Sequence, residues 1–261
     1  MSGYLTKNED IAIPGAASLT VRSLLDRQQF HDPHGTAMRL GISDAVWPLF
    51  GMLWPSGLQL AEIMAQQPTI AGQRILELGC GLGLASMVCH RQGADITASD
   101  CHPLAGQFLA ENVRLNGLHL LKYRVGQWGA AASAERAQEE TADFDLALND
   151  AADLSHHATP YALEPQEQEV TGRYDLIIGS DLLYERDQQA RLPDYMVAHA
   201  TDQAQIWIID PDRGNRAAFS RQMAERGYGV TEKRLDRDAT DTAPAYKGRW
   251  LVYARTDLQD A

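Results

Sequence analysis

A glycine-rich stretch and a downstream acid carry the clearest chemical signal in this chain of 261 residues. The stretch Glu77–Gly83 has the pattern Glu-x-Gly-x-Gly-x-Gly and directly follows a short apolar run, Arg74–Leu78. Glycines at this spacing let the backbone turn tightly and approach a ligand where a Cβ atom would clash. Asp100 ends the next apolar run roughly 20 residues downstream, the spacing expected of an acid that hydrogen-bonds ribose hydroxyls. Together these residues predict a nucleotide-like ligand at the carboxyl ends of two neighbouring strands.

The same residues disfavour a dinucleotide site. The glycine spacing departs from the dinucleotide pattern, and Glu77 stands two residues before the first glycine. A carboxylate at that place suits the ammonium group of an amino-acid moiety better than a pyrophosphate. The remaining alternative, a turn that holds no ligand, is disfavoured by the glycines, the acid and the strand–helix context taken together.

A carboxylate and a phenol follow a later apolar run, Arg173–Gly179, as Asp181-x-x-Tyr184. At the mouth of a strand such a pair can orient an amine through hydrogen bonds and through contact of a cation with the aromatic ring. A lysine must lose its proton to act as a nucleophile, which costs about 4.6 kcal/mol at pH 7. The alternatives are that Asp181 caps a following helix and that Tyr184 only packs.

Other polar side chains carry weaker signals. Asp210–Arg213 follows an apolar run and either borders a substrate mouth or forms a turn, and the sequence favours neither. The histidines lack metal-ligand spacing, so no metal is expected. Cys80 and Cys101 flank the predicted ligand turn without a base in view, which disfavours a catalytic thiolate. Trp47 is interpreted as core packing.

These residues need a scaffold of alternating strands and helices, which the chain predicts from residue 73 onward. The predicted strands are Arg74–Leu78, Asp95–Asp100, Leu121–Trp128, Arg173–Gly179, Ala204–Asp210, Val230–Leu235 and Arg249–Ala254. The predicted helices are Leu58–Gln67, Leu84–Gln92, Pro103–Asn116, Arg191–Ala200 and Arg216–Arg226. Such alternation predicts an α/β fold with a Rossmann-like, mostly parallel sheet of seven strands. Because no helix separates the last two strands, they should pair antiparallel at one edge.

Two regions lie outside this rhythm. Residues 1–60 are predicted to be an N-terminal extension ahead of a ligand-binding domain at 61–261, with Ser18–Phe30 and Ala37–Ile42 forming a hairpin. Residues 130–172 are acidic and are interpreted as an insertion at the ligand-facing edge of the sheet. Within it, Phe144–Asp150 resembles a strand, but residues 174–181 are more apolar and β-branched and are the preferred fourth strand.

Composition limits the classes of partner and location. The net charge of −12 argues against a nucleic-acid backbone as partner and favours cationic partners or simple solubility. The three cysteines have neither metal spacing nor an even count, which favours a reducing compartment. The sequence offers no membrane span or signal peptide, so a cytoplasmic location without membrane contact is expected. It leaves the oligomeric state open.

Five segments in this order resemble methyltransferase family 16, a group of seven-stranded S-adenosylmethionine-dependent methyltransferases. They are Trp54–Ala61, Ile75–Gly83, Ala98–Asp100, Gln127–Gly129 and Asp175–Tyr184. The resemblance spans about residues 45–255, and its most specific element is Asp-x-x-Tyr. The group includes protein-lysine methyltransferases, and its bacterial members are often described as nicotinamide N-methylases. The resemblance implies S-adenosylmethionine as the cofactor.

The resemblance also implies roles for the residues at the glycine turn. Trp54 would border the methionine part of the cofactor. Gly79, Cys80 and Gly81 would contribute backbone contacts, and Asp100 would hold the ribose.

The remaining site residues would contact either the cofactor or the methyl acceptor. Glu77, beside the glycines, is also predicted to bind the cofactor. Trp128 would pack against the adenine, and Ser180 would sit at its edge. Asp181 and Tyr184 would face the methyl-accepting amine. The insertion at 130–172 departs from the family and leaves the substrate open.

Three hypotheses follow. The first is a protein N-methyltransferase that acts on lysine, and the second is an N-methyltransferase of a small pyridine or amine. The third is a catalytically silent protein that uses this fold for binding, which the intact glycines and Asp100 disfavour.

Overall fold

The structure, a computed structural model, describes residues 4–30, 32, 35, 42–67, 72–128, 168–184, 186–239 and 245–256. Its strands are β1 (Thr6–Ile11), β2 (Leu19–Leu24), β3 (Arg74–Leu78), β4 (Asp95–Asp100), β5 (Lys122–Val125), β6 (Tyr174–Ser180), β7 (Ala200–Asp210), β8 (Tyr228–Arg234) and β9 (Arg249–Arg255). Its helices are α1 (Pro55–Ala65), α2 (Leu84–Arg91), α3 (Ala105–Leu115), α4 (Arg191–His199) and α5 (Arg216–Ala224), with 3₁₀ turns at Trp47–Gly51 and Leu182–Tyr184.

Seven strands form the central sheet in the order β5-β4-β3-β6-β7-β9-β8. The strands from β5 to β7 in that order pair in parallel, while β9 is antiparallel to both β7 and β8. This confirms the predicted fold, including the antiparallel last strand. Helices α2, α3, α4 and α5 each connect two successive strands and return the chain to the same end of the sheet, whereas the connection from β8 to β9 contains no described helix and reverses the direction.

The fourth strand of the ligand-binding alternation is β6, as the apolar pattern predicts. It lies at the centre of the sheet between β3 and β7. Its burial on both faces explains why its sequence is apolar at nearly every position. The competing segment, Phe144–Asp150, lies outside the described residues.

The sheet separates two apolar cores. Side chains that alternate along a strand point to opposite faces, so Ile178 packs with α1, α2 and α3 while Ile177 packs with α4 and α5. Both side chains have no exposed surface. Helices on both faces hold the carboxyl ends of β3, β4 and β6 in fixed relative positions, and these ends carry the predicted site residues.

The N-terminal hairpin differs from the prediction. β2 is the predicted strand, but its partner is β1, with Thr6 opposite Leu24 and Ile11 opposite Leu19. The predicted return strand, Ala37–Ile42, lies outside the described residues except for Ile42. Sequence reasoning missed β1 because its residues are mostly polar. The hairpin packs into the core with α1 to α3 through β2, since Leu19, Val21 and Leu24 are buried there.

Several element boundaries also shift. α1 begins at Pro55, three residues before the predicted start, because proline suits the first turn of a helix. β5 ends at Val125 rather than at Trp128. Of the predicted insertion at 130–172, residues 130–167 lie outside the described part of the chain. The division into an extension at 1–60 and a domain at 61–261 stays a prediction.

None of the helices in the described residues is long and apolar enough to cross a membrane.

Candidate active site

A cavity of about 910 Å³ opens at the carboxyl ends of β3, β4 and β6. Residues from distant parts of the chain share its wall, and every predicted site residue is among them. These are Trp54, Glu77, Gly79, Cys80, Gly81, Asp100, Trp128, Ser180, Asp181 and Tyr184. The volume lies in the range typical of small-molecule and cofactor sites.

The glycine turn after β3 requires glycine. Gly79, Gly81 and Gly83 adopt φ values of 61°, 51° and 74°, a region that other residues rarely adopt. A methyl group on Gly79 would lie 2.6 Å from Leu182 Cδ2, and one on Gly81 would lie 2.9 Å from the carbonyl oxygen of Phe50. The turn therefore brings the backbone against neighbouring segments and leaves it exposed to the cavity.

Asp100 holds this turn in place. The backbone N–H of Gly81 donates to Asp100 Oδ2 at 2.9 Å, and the N–H of His102 donates to Oδ1 at 2.9 Å. The side chain is buried, and burial raises the pKa of its carboxyl. The backbone and the thiol of Cys101 also hydrogen-bond to this carboxylate, so Asp100 holds the turn through several contacts.

The turn has few free backbone donors. The N–H of Cys80 donates to the carbonyl of Ser99 at 2.9 Å, and that of Gly81 is bound to Asp100. A ligand can therefore approach the backbone of these residues closely and contact their carbonyl oxygens, but their N–H groups are already bound. The backbone contacts that the resemblance implies would thus be made mainly by carbonyl oxygens.

Glu77 lies at the base of the cavity and faces α2. Its Oε2 accepts hydrogen bonds from the backbone N–H of Ser86, at 2.8 Å, and from the Ser86 hydroxyl. Burial raises the pKa of Glu77 to about 7. The carboxyl is therefore poised between its neutral and charged forms, and a cation placed beside it would favour the charged form.

Two tryptophans line the cavity, one before the glycine turn in the sequence and one after it. Trp54 precedes α1, its Nε1 donates to the carbonyl of Leu49 at 2.7 Å, and the guanidinium of Arg27 lies 4.7 Å from its ring centre. Trp128 approaches the glycine turn, since its Cη2 atom would lie 3.8 Å from a methyl group on Gly79. Both rings can provide flat apolar walls for a ligand.

His102 is a cavity residue that sequence reasoning missed. Its ring stacks on Phe50 at 3.8 Å and meets the edge of Trp47 at 4.4 Å. Its Nδ1 accepts the N–H of Leu104, so the neutral ring carries its proton on Nε2. Burial lowers the pKa of His102 to about 3. Its place two residues after Asp100 was the available signal. Trp47 is buried, as the core-packing interpretation requires.

A further part of the cavity wall begins where β6 ends. Ser180 lies near α1, with its Oγ 3.6 Å from the position of a methyl group on Gly57. Asp181 adopts φ 58°, and its backbone N–H donates to the carbonyl of Ile209 on β7 at 2.8 Å. A left-handed conformation at a residue other than glycine is strained and needs such support. Tyr184 is 42% exposed and stands at the rim.

Asp181 is joined to a second residue that the sequence left undecided. Arg213 Nε donates to Asp181 Oδ1 at 2.6 Å, and Arg213 also lines the cavity. Of the Asp210–Arg213 segment, Arg213 thus lines the cavity, and a role of the segment at a substrate mouth stays a prediction. Asp181 directly precedes the 3₁₀ turn Leu182–Tyr184 rather than an α-helix.

Two of the three cysteines are poorly suited to act as nucleophiles because they are buried. Burial raises the pKa of the Cys80 and Cys89 thiols well above the usual value. Among the described residues, no group of three or more histidine, cysteine or acidic side chains has the arrangement of a metal site.

The fold is that of the S-adenosylmethionine-dependent methyltransferases. A solved structure of such an enzyme from Agrobacterium tumefaciens superimposes with a TM-score of 0.54, covering 97% of this chain and 72% of the other at 13% identity. At that identity the likeness concerns the fold alone.

The family resemblance is confirmed over part of the chain. Residues 41–159 match the family described as lysine methyltransferase. The electron transfer flavoprotein beta subunit lysine methyltransferase of Rattus norvegicus is 29% identical over 46% of this chain and 46% of its own length. Protein-lysine methyltransferase METTL21E of Bos taurus is 28% identical over 50% of this chain and 46% of its own. The chain thus spans about half the length of these curated relatives, and the matched family region ends before Ser180, Asp181 and Tyr184.

Proposed function

We propose that this protein is an S-adenosylmethionine-dependent N-methyltransferase that methylates a lysine side chain of a protein substrate. The observation that carries the proposal is the single cavity lined by all the predicted cofactor and acceptor residues. The lysine methyltransferase names of the relatives support the choice of acceptor.

The cavity fits the cofactor. A turn of three positive-φ glycines, none of which leaves room for a Cβ atom, would let an extended nucleoside lie against the backbone. Asp100 would accept the ribose hydroxyls, and Trp128 would cover the adenine. Glu77 would face the ammonium of the methionine part, with Trp54 at its border. When bound, the cofactor supplies a methyl group on a positively charged sulfur.

The chain's own residues would orient the acceptor. Methyl transfer to nitrogen needs a free lone pair in line with the methyl group. The amine must therefore bind in its neutral form or lose its proton in the site. Asp181 and Tyr184 follow β6, which pairs with β3 next to the glycine turn, and they can hold the nitrogen by hydrogen bonds. Contact with the apolar part of the wall would partly desolvate the amine, which lowers its tendency to stay protonated.

The test is a transfer assay with labelled cofactor and a cell lysate. We expect label on a discrete protein band after electrophoresis, and loss of that band with the Asp100→Ala variant. Label that is found only in the small-molecule fraction would instead establish the alternative, a small-molecule N-methyltransferase. Absence of both label and cofactor binding by calorimetry would contradict the enzymatic proposal and leave a binding protein.

Cytoplasmic location and the absence of nucleic-acid, membrane and metal partners stay predictions from composition. No disulfide joins the three cysteines, and a reducing compartment stays a prediction.

A further inference from the structure

We call the part of the cavity wall formed by Asp181, Tyr184 and Arg213 the acceptor side, and an ion pair lies there. Arg213 Nε and Asp181 Oδ1 are 2.6 Å apart, and both residues line the cavity wall. The Asp181 side chain is only 12% exposed, while that of Arg213 is 39% exposed. The carboxylate proposed to meet the acceptor amine is therefore already matched by a cation.

Backbone hydrogen bonds fix both partners of this pair. The N–H of Asp181 donates to the carbonyl of Ile209 at 2.8 Å, which ties the end of β6 to β7. The N–H of Arg213 donates to Asp210 Oδ1 at 2.8 Å, and Asp210 is fully buried at the end of β7. The pair thus belongs to the rigid ends of two neighbouring strands.

The other charged groups near the pair have partners of their own. Asp212 binds Arg249 at 2.7 Å and Arg216 at 3.6 Å, and the hydroxyl of Tyr246 lies 3.0 Å from that of Ser56. Asp210 faces the pair from β7, and burial raises its pKa to about 6.

On the segment that follows Asp181, the ionisable residues that line the cavity are Tyr184, Arg186, Asp187 and Arg191, and Asp187 Oδ2 accepts the backbone N–H of Leu192 at 2.8 Å. Arg213 is therefore the partner that the structure gives to the Asp181 carboxylate within the described residues.

The pairing changes what the acceptor side favours. An unpaired carboxylate near a lysine stabilises the ammonium form and raises the pKa of that amine by about 1–3 units. The ammonium form has no lone pair and cannot accept a methyl group. A guanidinium held on the same carboxylate cancels this effect and leaves the oxygens as hydrogen-bond acceptors for a neutral amine.

We propose that Arg213 is a positioning and specificity-determining residue that neutralises Asp181, so that the site holds the acceptor as a neutral amine rather than as an ammonium ion. This rests on the proposed methyl transfer. The amine loses its proton to bulk water before transfer. The nitrogen lone pair then forms the new N–C bond while the S–C bond breaks with its electrons staying on sulfur. Arg213 takes no part in either bond.

The experiment compares pH profiles of kcat for the protein substrate purified from the labelled band. The assay runs from about pH 7 to about pH 10, above the titration of Asp210 and across that of a lysine. We expect Arg213→Gln to lower kcat about tenfold at pH 7, with KM unchanged or lower, and to move the pH midpoint up by about one unit or more. At the alkaline end its kcat should approach that of the wild type.

Two further variants separate charge from structure. Arg213→Lys should restore the midpoint, because it restores the cation. Asp181→Asn combined with Arg213→Gln should also return the midpoint to that of the wild type, whatever its absolute rate, because no unpaired carboxylate remains. Arg221→Gln, which removes an exposed arginine of α5 away from the cavity, is the matched control and should leave the profile unchanged.

A loss of kcat by the same factor at every pH would overturn the proposal and make Arg213 merely structural. Calorimetry with S-adenosylhomocysteine verifies that each variant is folded. If Arg213→Gln does not fold, the double variant carries the test, and a midpoint above that of the wild type would overturn the proposal. If the wild type labels no substrate, the proposed function itself fails, and this inference fails with it.

Discussion

The two sides of the cavity are built differently. The cofactor side consists of backbone and buried side chains, with the glycine turn after β3 bound to Asp100 at the end of β4. The acceptor side consists of partly exposed side chains on the ends of β6 and β7, held by an ion pair and by the strained backbone of Asp181.

This difference has a physical reason. A cofactor that is the same in every turnover can be met by fixed backbone geometry, which few substitutions preserve. An acceptor that differs between enzymes must be met by side chains and their charges, which can vary without changing the fold. Substitutions on the cofactor side should therefore abolish binding, while those on the acceptor side should alter rate and pH dependence.

The largest effect is expected for Gly81→Ala. The new methyl group would lie 2.9 Å from a backbone oxygen, and the left-handed conformation adds strain, so we expect a loss of about 4 kcal/mol in cofactor binding or in stability. Calorimetry with S-adenosylhomocysteine and urea unfolding measure the two terms. Gly93→Ala is the control, because Gly93 has a φ of 81° with no atom near the added methyl. It should cost about 1 kcal/mol of stability and leave binding intact.

Asp100→Ala should follow, with cofactor binding weakened about 100-fold. It removes the acceptor of two backbone N–H groups and the proposed ribose contact. Binding is measured by calorimetry. Asp95→Asn, at the exposed start of the same strand, should bind as the wild type does. Equal affinities for Asp100→Ala and the wild type would show that the ligand does not meet this side of the cavity.

Glu77→Gln should flatten the pH dependence of stability. Burial raises the pKa of Glu77 from 4.5 in the unfolded chain to about 7 in the folded one, so the folded state holds a proton that the unfolded state has lost. The free energy of unfolding should therefore fall by up to roughly 3 kcal/mol as the pH rises through this window, and the variant should lack that part. Urea unfolding at about pH 5 and pH 8 measures it, with the exposed Glu225→Gln as control. A variant whose pH slope equals that of the wild type would contradict the assignment.

The smallest effect is expected for Tyr184→Phe on the acceptor side. Losing one hydroxyl hydrogen bond to the amine should lower the methylation rate about fivefold and leave cofactor binding unchanged. The labelled-band assay and calorimetry measure the two quantities. A change in cofactor affinity would break the proposed division between the two sides of the cavity.

Much of this architecture could be predicted from the sequence because its signals are local. The sheet is predicted by the apolar run of β6, by the alternation of strands and helices, and by the lack of a predicted helix between β8 and β9. The glycine turn and Asp100 are separated by a strand and a helix of regular length. β1 could not be found in this way, because a polar edge strand has no apolar pattern and depends on β2 for its hydrogen bonds.

The sequence alone determined the class of fold and the ligand turn, since these depend on strand ends whose order follows from helical crossovers. The family resemblance supplied most of the other residues that line the cavity. Only the tertiary structure decided what those residues contact. Arg213 reaches Asp181 because β6 and β7 lie side by side, and Glu77 turns to Ser86 because α2 starts above it. Such contacts join residues far apart in the chain, and the spacing of residue types does not encode which charges finally pair.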